Sequence, residues 1–85
     1  MKQAPDFKNH EEHDKWVIEN ADYFTAIGSA YRARARFEFE TLEQAREMAH
    51  SIAKDAPNGH AIVYAVCGVY SAYVETVRKQ EENHE

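Results

Sequence analysis

The alternation of apolar and polar side chains is cleanest between Tyr31 and Glu40. Tyr31, Ala33, Ala35, Phe37 and Phe39 fall on one side, and Arg32, Arg34, Arg36, Glu38 and Glu40 on the other. A period of two marks a half-buried strand, because successive side chains of extended backbone point to opposite faces. At Thr41 the period lengthens to that of a helix. At about 100° per residue, Leu42, Ala45, Met48, Ala49, Ile52, Ala53 and Ala56 fall within an arc of roughly 140°. Glu43, Glu47, His50, Ser51 and Lys54 lie opposite. Thr41-Leu42-Glu43-Gln44 has the form of a capping box, in which the threonine hydroxyl and the glutamine side chain each satisfy a free backbone N–H. Pro57-Asn58-Gly59 ends this helix, and the alanines among its inward positions let it approach a sheet closely.

The remaining elements follow from the same patterning. Residues 1–9 contain Pro5 and little apolar material and read as a flexible arm. Asn9 with Glu12 resembles a helix N-cap, followed by acids in the first turn where the helix dipole favours them. His13, Trp16, Val17 and Asn20 then share one face, which predicts a short helix over 10–19 anchored by Trp16. Residues 22–28 (DYFTAIG) are rich in aromatic and branched side chains and read as a strand over 23–27. Gly28-Ser29 is the turn signal before a second strand over 31–40. HAIVYAVC (60–67) is apolar on both faces, as expected of a central strand covered on both sides. After a turn at Gly68, YSAYVETV (70–77) forms a mixed strand, and residues 78–85 trail off as an acidic tail.

The order is therefore α-β-β-α-β-β: an α+β domain over 10–77 with a single four-stranded, mainly antiparallel sheet. A right-handed crossover makes strands two and three parallel in direction. Polar strand two and mixed strand four suit the edges, which gives the order 2-1-3-4 with the long helix on one face. Charge along strand two would also discourage edge-to-edge aggregation. The second face is then covered by the first helix or by another chain, a homodimer through that face included.

Composition narrows the class. The chain has 85 residues, 44% hydrophobic and 29% charged, and a formal net charge of −5, which describes one soluble domain with a small core. No apolar run approaches the roughly 18 residues of a membrane span, the first fifteen residues lack the apolar stretch of a signal peptide, and Cys67 has no disulfide partner. These features point to a cytoplasmic protein. The acidic balance argues against general nucleic-acid affinity, where phosphate neutralisation dominates.

Candidate chemistry is sparse. Arg32, Arg34 and Arg36 place guanidinium groups about 6.6–7 Å apart on one strand face, either as a comb for acidic groups on a partner or as a solvated face neutralised by Glu38, Glu40 and Glu75. The tyrosines Tyr23, Tyr31, Tyr64, Tyr70 and Tyr73 fall on or beside strands. Tyrosine and arginine are favoured at interfaces, so Arg32, Arg34, Arg36, Tyr23, Tyr70 and Tyr73 are the candidate partner-binding residues. His10 and His13 lie one helical turn apart without further ligands at motif spacing, and read as a solvated helix end and not a metal site. Cys67 sits among apolar neighbours as a buried small residue. No phosphate-binding loop, dinucleotide fingerprint, nucleophile elbow or zinc-protease motif occurs, so no catalytic residue and no cofactor is expected, and the chain reads as a non-enzyme.

The segments KWVIENADYFT, FETLEQAREMA and AIVYAV resemble small proteins of phages and prophages. In size, acidity and lack of enzyme motifs the chain is similar to anti-CRISPR-type inhibitors. The resemblance implies a compact protein that binds and blocks a host or defence complex in the host cytoplasm, with the arginine row and tyrosines as contacts. The expectation is a non-enzymatic protein-binding module. The alternatives are a nucleic-acid-binding protein using the arginine row, and a structural or self-assembling protein.

Overall fold

The computed structural model describes residues 5–28, 36–57 and 59–79. In chain order these form α1 (His10–Glu19), β1 (Tyr23–Ile27), β2 (Arg36–Phe39), α2 (Leu42–Asp55), β3 (His60–Cys67) and β4 (Tyr70–Arg78). The strands make one open antiparallel sheet in the order β2-β1-β3-β4, so the chain is an α+β protein. Because β2 and β3 both run antiparallel to β1, they share a direction, and α2 crosses between them.

Local chemistry sets the helix boundaries. Asn9 caps α1 by accepting from the Glu12 N–H at 2.9 Å, and the Glu12 carboxylate accepts from the Lys8 N–H at 2.8 Å. The capping box of α2 is complete: the Gln44 N–H donates to Thr41 Oγ1 (3.2 Å), and the Thr41 N–H donates to Gln44 Oε1 (3.3 Å). Gly68, at φ 59°, takes the first central position of the two-residue β3–β4 turn, where a left-handed residue matches the sheet twist. Its N–H donates to Asp22 Oδ2 at 2.8 Å, tying the α1–β1 connection to this turn.

Both helices lie on the same face of the sheet. Beneath α2, Ala45, Ala49, Ile52, Ala53 and Ala56 pack on Ala26, Ala61, Val63 and Val77, with Phe24, Phe37, Phe39, Leu42, Met48 and Val74 around them. Beneath α1, Val17 packs on Ala65, Cys67 and Ala72, flanked by Trp16, Ile18, Ala21, Phe24 and Val74. The register explains why both clusters share a face: Ala26 pairs with Val63, Phe24 with Ala65, and Ala65 with Ala72, and directly opposed residues of an antiparallel pair point the same way.

Several expectations are corrected by this arrangement. α1 does not cover the second face of the sheet, because its buried side joins α2 over the first. β3 is accordingly not covered on both sides by the described elements. The fully buried anchor of α1 is Val17, while Trp16 is half-buried, since the indole lies at the edge of the sheet against Tyr70 and Phe7. The β1–β2 register pairs Ile27 with Arg36; the turn read at Gly28-Ser29 and the strand start read at Tyr31 fall on residues 29–35, outside the described residues. Within β2 the alternation is as read: Phe37 and Phe39 face the helices and Arg36 and Glu38 face away. Residues 31–35, with Arg32 and Arg34, are outside the described residues. β4 runs on to Arg78, and the Lys79 N–H donates to the Gly59 carbonyl at 2.6 Å, holding the end of this strand against the start of β3.

Candidate docking face

Opposite the helices, the sheet presents a second face whose rows follow from the pairing. Arg36, Ile27, Ile62 and Thr76 form one row from β2 to β4, and Glu38, Thr25, Tyr64 and Tyr73 form the next. Tyr23, Val66 and Ser71 form a third across β1, β3 and β4, and His60 with Arg78 closes one corner. No helix among the described residues lies over this face. Its centre is apolar, β2 contributes a cation and an anion, and β4 contributes hydroxyls.

Along β3 the sizes of the side chains are inverted relative to an ordinary one-sided sheet. Along β3 the positions under the helices are Ala61, Val63, Ala65 and Cys67, whereas the positions facing away include Ile62, Tyr64 and Val66. Along β1 both faces carry large side chains: Phe24 faces the helices with Ala26, and Tyr23 and Ile27 face away. Small side chains beneath the helices are what close approach requires. Large apolar side chains on the other face gain nothing comparable until something excludes water from them, at roughly 25 cal/mol per Å² covered.

The face is ordered by its own contacts. Tyr64 and Tyr73 meet edge to face with ring centroids 6.3 Å apart, and the Tyr73 and Thr76 hydroxyls lie 2.8 Å apart across an irregularity in the β3–β4 register. An Arg36 guanidinium N–H donates to the Tyr23 hydroxyl (3.4 Å) and sits 3.6 Å from the Glu38 carboxylate. Thr25 (1% exposed) and Val66 (8%) are recessed, whereas Tyr73 is 51% exposed.

The candidate residues therefore separate. Tyr23, Arg36 and Tyr73 come together on the open face. Tyr70 does not join them, because it closes a ring of edge-to-face aromatic contacts with His13, Trp16 and Phe7 at the α1 end of the helix-covered side. Phe7, read as part of a loose arm, is thereby packed against α1. Glu75 does not face Arg36: it points to the helix side, where it accepts from Arg46 Nε at 2.5 Å. Ile27, Ile62, Tyr64 and Val66 extend the face and were not singled out from the sequence, although the small–large parity of AIVYAVC carries the signal.

Other features offer less. A hollow of about 370 Å³ between α2 and β2 is lined by Phe39, Gln44, Glu47, Met48 and Ser51 and opens widely to solvent. Among the described residues no group of three or more His, Cys, Asp or Glu could hold a metal ion, and His10 and His13 gain no third ligand. Cys67 is buried, 2% exposed, beneath α1. No helix among the described residues is long and apolar enough to cross a membrane. Comparison with protein families, with curated proteins and with solved structures finds no match to this chain.

Proposed function

We propose that this protein is a non-enzymatic protein-binding module whose docking surface is the sheet face opposite the helices. The observation that supports the reading is the size inversion along β3: its larger side chains, Ile62, Tyr64 and Val66, lie with Tyr23 and Ile27 of β1 on the face that no helix among the described residues covers. Tyrosine and arginine at Tyr23, Tyr64, Tyr73 and Arg36 match the composition of interface centres. The mixed sign of Arg36 and Glu38 suits a protein surface better than a phosphate backbone, which rewards unbroken positive charge. The same face would serve a phage-type inhibitor of a defence complex, the form of module the sequence resemblance implies.

Hydroxyl-radical labelling tests this directly. Tyr73 should label readily in dilute purified protein and be protected when binding proteins are present, either in lysate of the source cells or at high concentration of the protein itself. Tyr70, on the other face, should label equally in all conditions. Equal labelling of Tyr73 throughout would overturn the proposal.

A further inference from the structure

At one side the sheet ends in β2, which pairs only with β1 among the described residues. An edge strand turns the N–H and C=O of every second residue away from its one neighbour, where they can bond to water or to another extended chain. Beside this edge lies the hollow of about 370 Å³. Among the described residues Phe39 of β2 alone lines it from the sheet. Gln44, Glu47, Met48 and Ser51 complete the lining; they stand at i, i+3, i+4 and i+7 and make one stripe along α2. The hollow is thus at the margin of the sheet, between an edge strand and the flank of a helix. We infer that this margin is a groove for an extended peptide, which adds to β2 as a fifth strand and places one cationic side chain in the hollow.

The edge decides the form of the occupant, and the hollow decides one of its side chains. Extended backbone alone offers donors and acceptors at the spacing of the ladder, and strand addition beside a side-chain pocket is a recurrent mode of peptide recognition. Residues directly opposite on neighbouring strands share a face. A peptide residue opposite Phe39 therefore points to the helix side, as Phe39 does. There Phe39 and Met48, both half-buried, offer an apolar floor, and the exposed Glu47 offers a carboxylate. Arginine fits both parts, with its stem on the apolar surface and its guanidinium on the carboxylate. The residue opposite Glu38 faces the open side, where lysine is favoured, and the residue opposite Arg36 is favoured as an acid. Charge agrees with a basic segment. From Arg36 to Ser51 the exposed acids Glu38, Glu40, Glu43 and Glu47 outnumber the cations Arg36 and Arg46, and Arg46 is already paired with Glu75.

Antiparallel addition continues the pattern of the sheet. Read from its N-terminus, the added strand then carries arginine opposite Phe39, lysine opposite Glu38, an apolar residue opposite Phe37 and an acid opposite Arg36. Because β2 is four residues long, the new ladder is short, and the expected dissociation constant is on the order of 100 µM.

The test follows the backbone amides of the full chain by NMR as the acetylated, amidated peptide Thr-Arg-Lys-Val-Glu-Thr is added to about 2 mM, a range that brackets this affinity. Amides of residues 36–39 and of the α2 stripe should shift and saturate. Two further peptides are N-methylated, one at lysine and one at valine. Successive N–H groups of a strand point to opposite edges, so one of these peptides loses a ladder donor and should bind at least about tenfold more weakly, while the other stays within about threefold of the parent. Glu47→Lys, at an exposed position, should weaken the parent peptide at least about fivefold and should prefer a peptide with glutamate in place of arginine. The proposal is overturned by unmoved amides at residues 36–39 up to about 2 mM, by equal effects of the two methyl groups, or by a Glu47→Lys variant that binds both peptides as wild type does. Shifts of the same amides on concentrating the protein without peptide would assign the edge to a second copy and overturn it as a peptide groove. Tyr73 stands on the open face three strand spacings from β2, about 14 Å, so peptide should not change its labelling. The open-face reading therefore stands or falls separately, on the protection of Tyr73.

Discussion

One sheet carries two faces built by opposite rules. Under the helices the strands present Ala26, Ala61, Ala65 and Ala72 beside Phe24, Phe37, Phe39, Val63 and Val77, and α2 answers with Ala45, Ala49, Ala53 and Ala56 around Ile52. On the other side Tyr23, Ile27, Ile62, Tyr64 and Tyr73 stand where no described helix covers them. A short chain has little apolar volume to distribute, because small domains bury a smaller fraction of their surface. Along β3, small residues under the helices leave the larger ones for the open side. Folding and recognition are thus assigned to alternate positions of the same strands, and a substitution should act on one with little effect on the other.

The largest expected effect lies at Ile52, the largest fully buried side chain. Because its neighbours are mostly alanines held between a helix and a sheet, Ile52→Ala leaves a void that cannot collapse easily, and should lower unfolding free energy by about 2–5 kcal/mol. Tyr73→Ala at the same low concentration should change it by less than about 0.5 kcal/mol. Urea denaturation of both variants makes the comparison. Equal losses would show that the open face also holds the monomer together.

The alanine pairs give the next effect. Ala49 is fully buried in the α2 core. Ala49→Leu forces extra methylenes into a close contact between helix and sheet, with an expected loss of about 1–3 kcal/mol. A stabilised Ala49→Leu variant would mean that α2 has slack above the sheet, and would remove the reason for small residues beneath it.

How much of this was legible in the sequence differs element by element. The boundaries of α1 and the start of α2 were readable because caps are local: Asn9 with Glu12, and Thr41 with Gln44, involve residues three apart. The strand order was readable because edge strands must carry charge and central strands must not. The side taken by α1 was not, since Val17, Trp16 and Ile18 say that a helix is buried, not against which face of which strand. Of the candidate site, Tyr70 and Tyr73 are three residues apart and so fall on opposite faces by the period of two alone, whereas the side taken by Glu75 was not readable, because the irregularity between Val63 and Tyr64 in the β3 pairing lies between Tyr73 and Glu75.

The capping box measures how far α2 depends on the sheet. Thr41→Ala removes the acceptor for the Gln44 N–H and should cost about 1 kcal/mol of stability by thermal or urea unfolding, less than the loss at Ile52. A cost near zero would indicate that water replaces the cap at this exposed position, leaving α2 held by its alanine seam alone.

The smallest expected effects are at the two arginine–glutamate pairs, one on each face. Arg46 and Glu75 link α2 to β4 on the helix side, with side chains 50% and 34% exposed. Arg36 and Glu38 neighbour one another along β2 on the open side, 50% and 57% exposed. Exposed pairs contribute little, because solvent screens them and two long side chains must be ordered. The Arg46–Glu75 pair joins elements far apart in sequence, so it should stabilise the fold slightly: Arg46→Gln is expected to cost about 0.5 kcal/mol at low salt. Arg36→Gln breaks a pair within one strand that is already formed when β2 pairs, and should cost about 0–0.3 kcal/mol. Both differences should fade in about 1 M salt, where the screening length falls to roughly 3 Å. If Arg36→Gln instead destabilises the dilute monomer more than Arg46→Gln does, the charges of the open face belong to the folding core, and the division of labour between the faces fails at its polar edge.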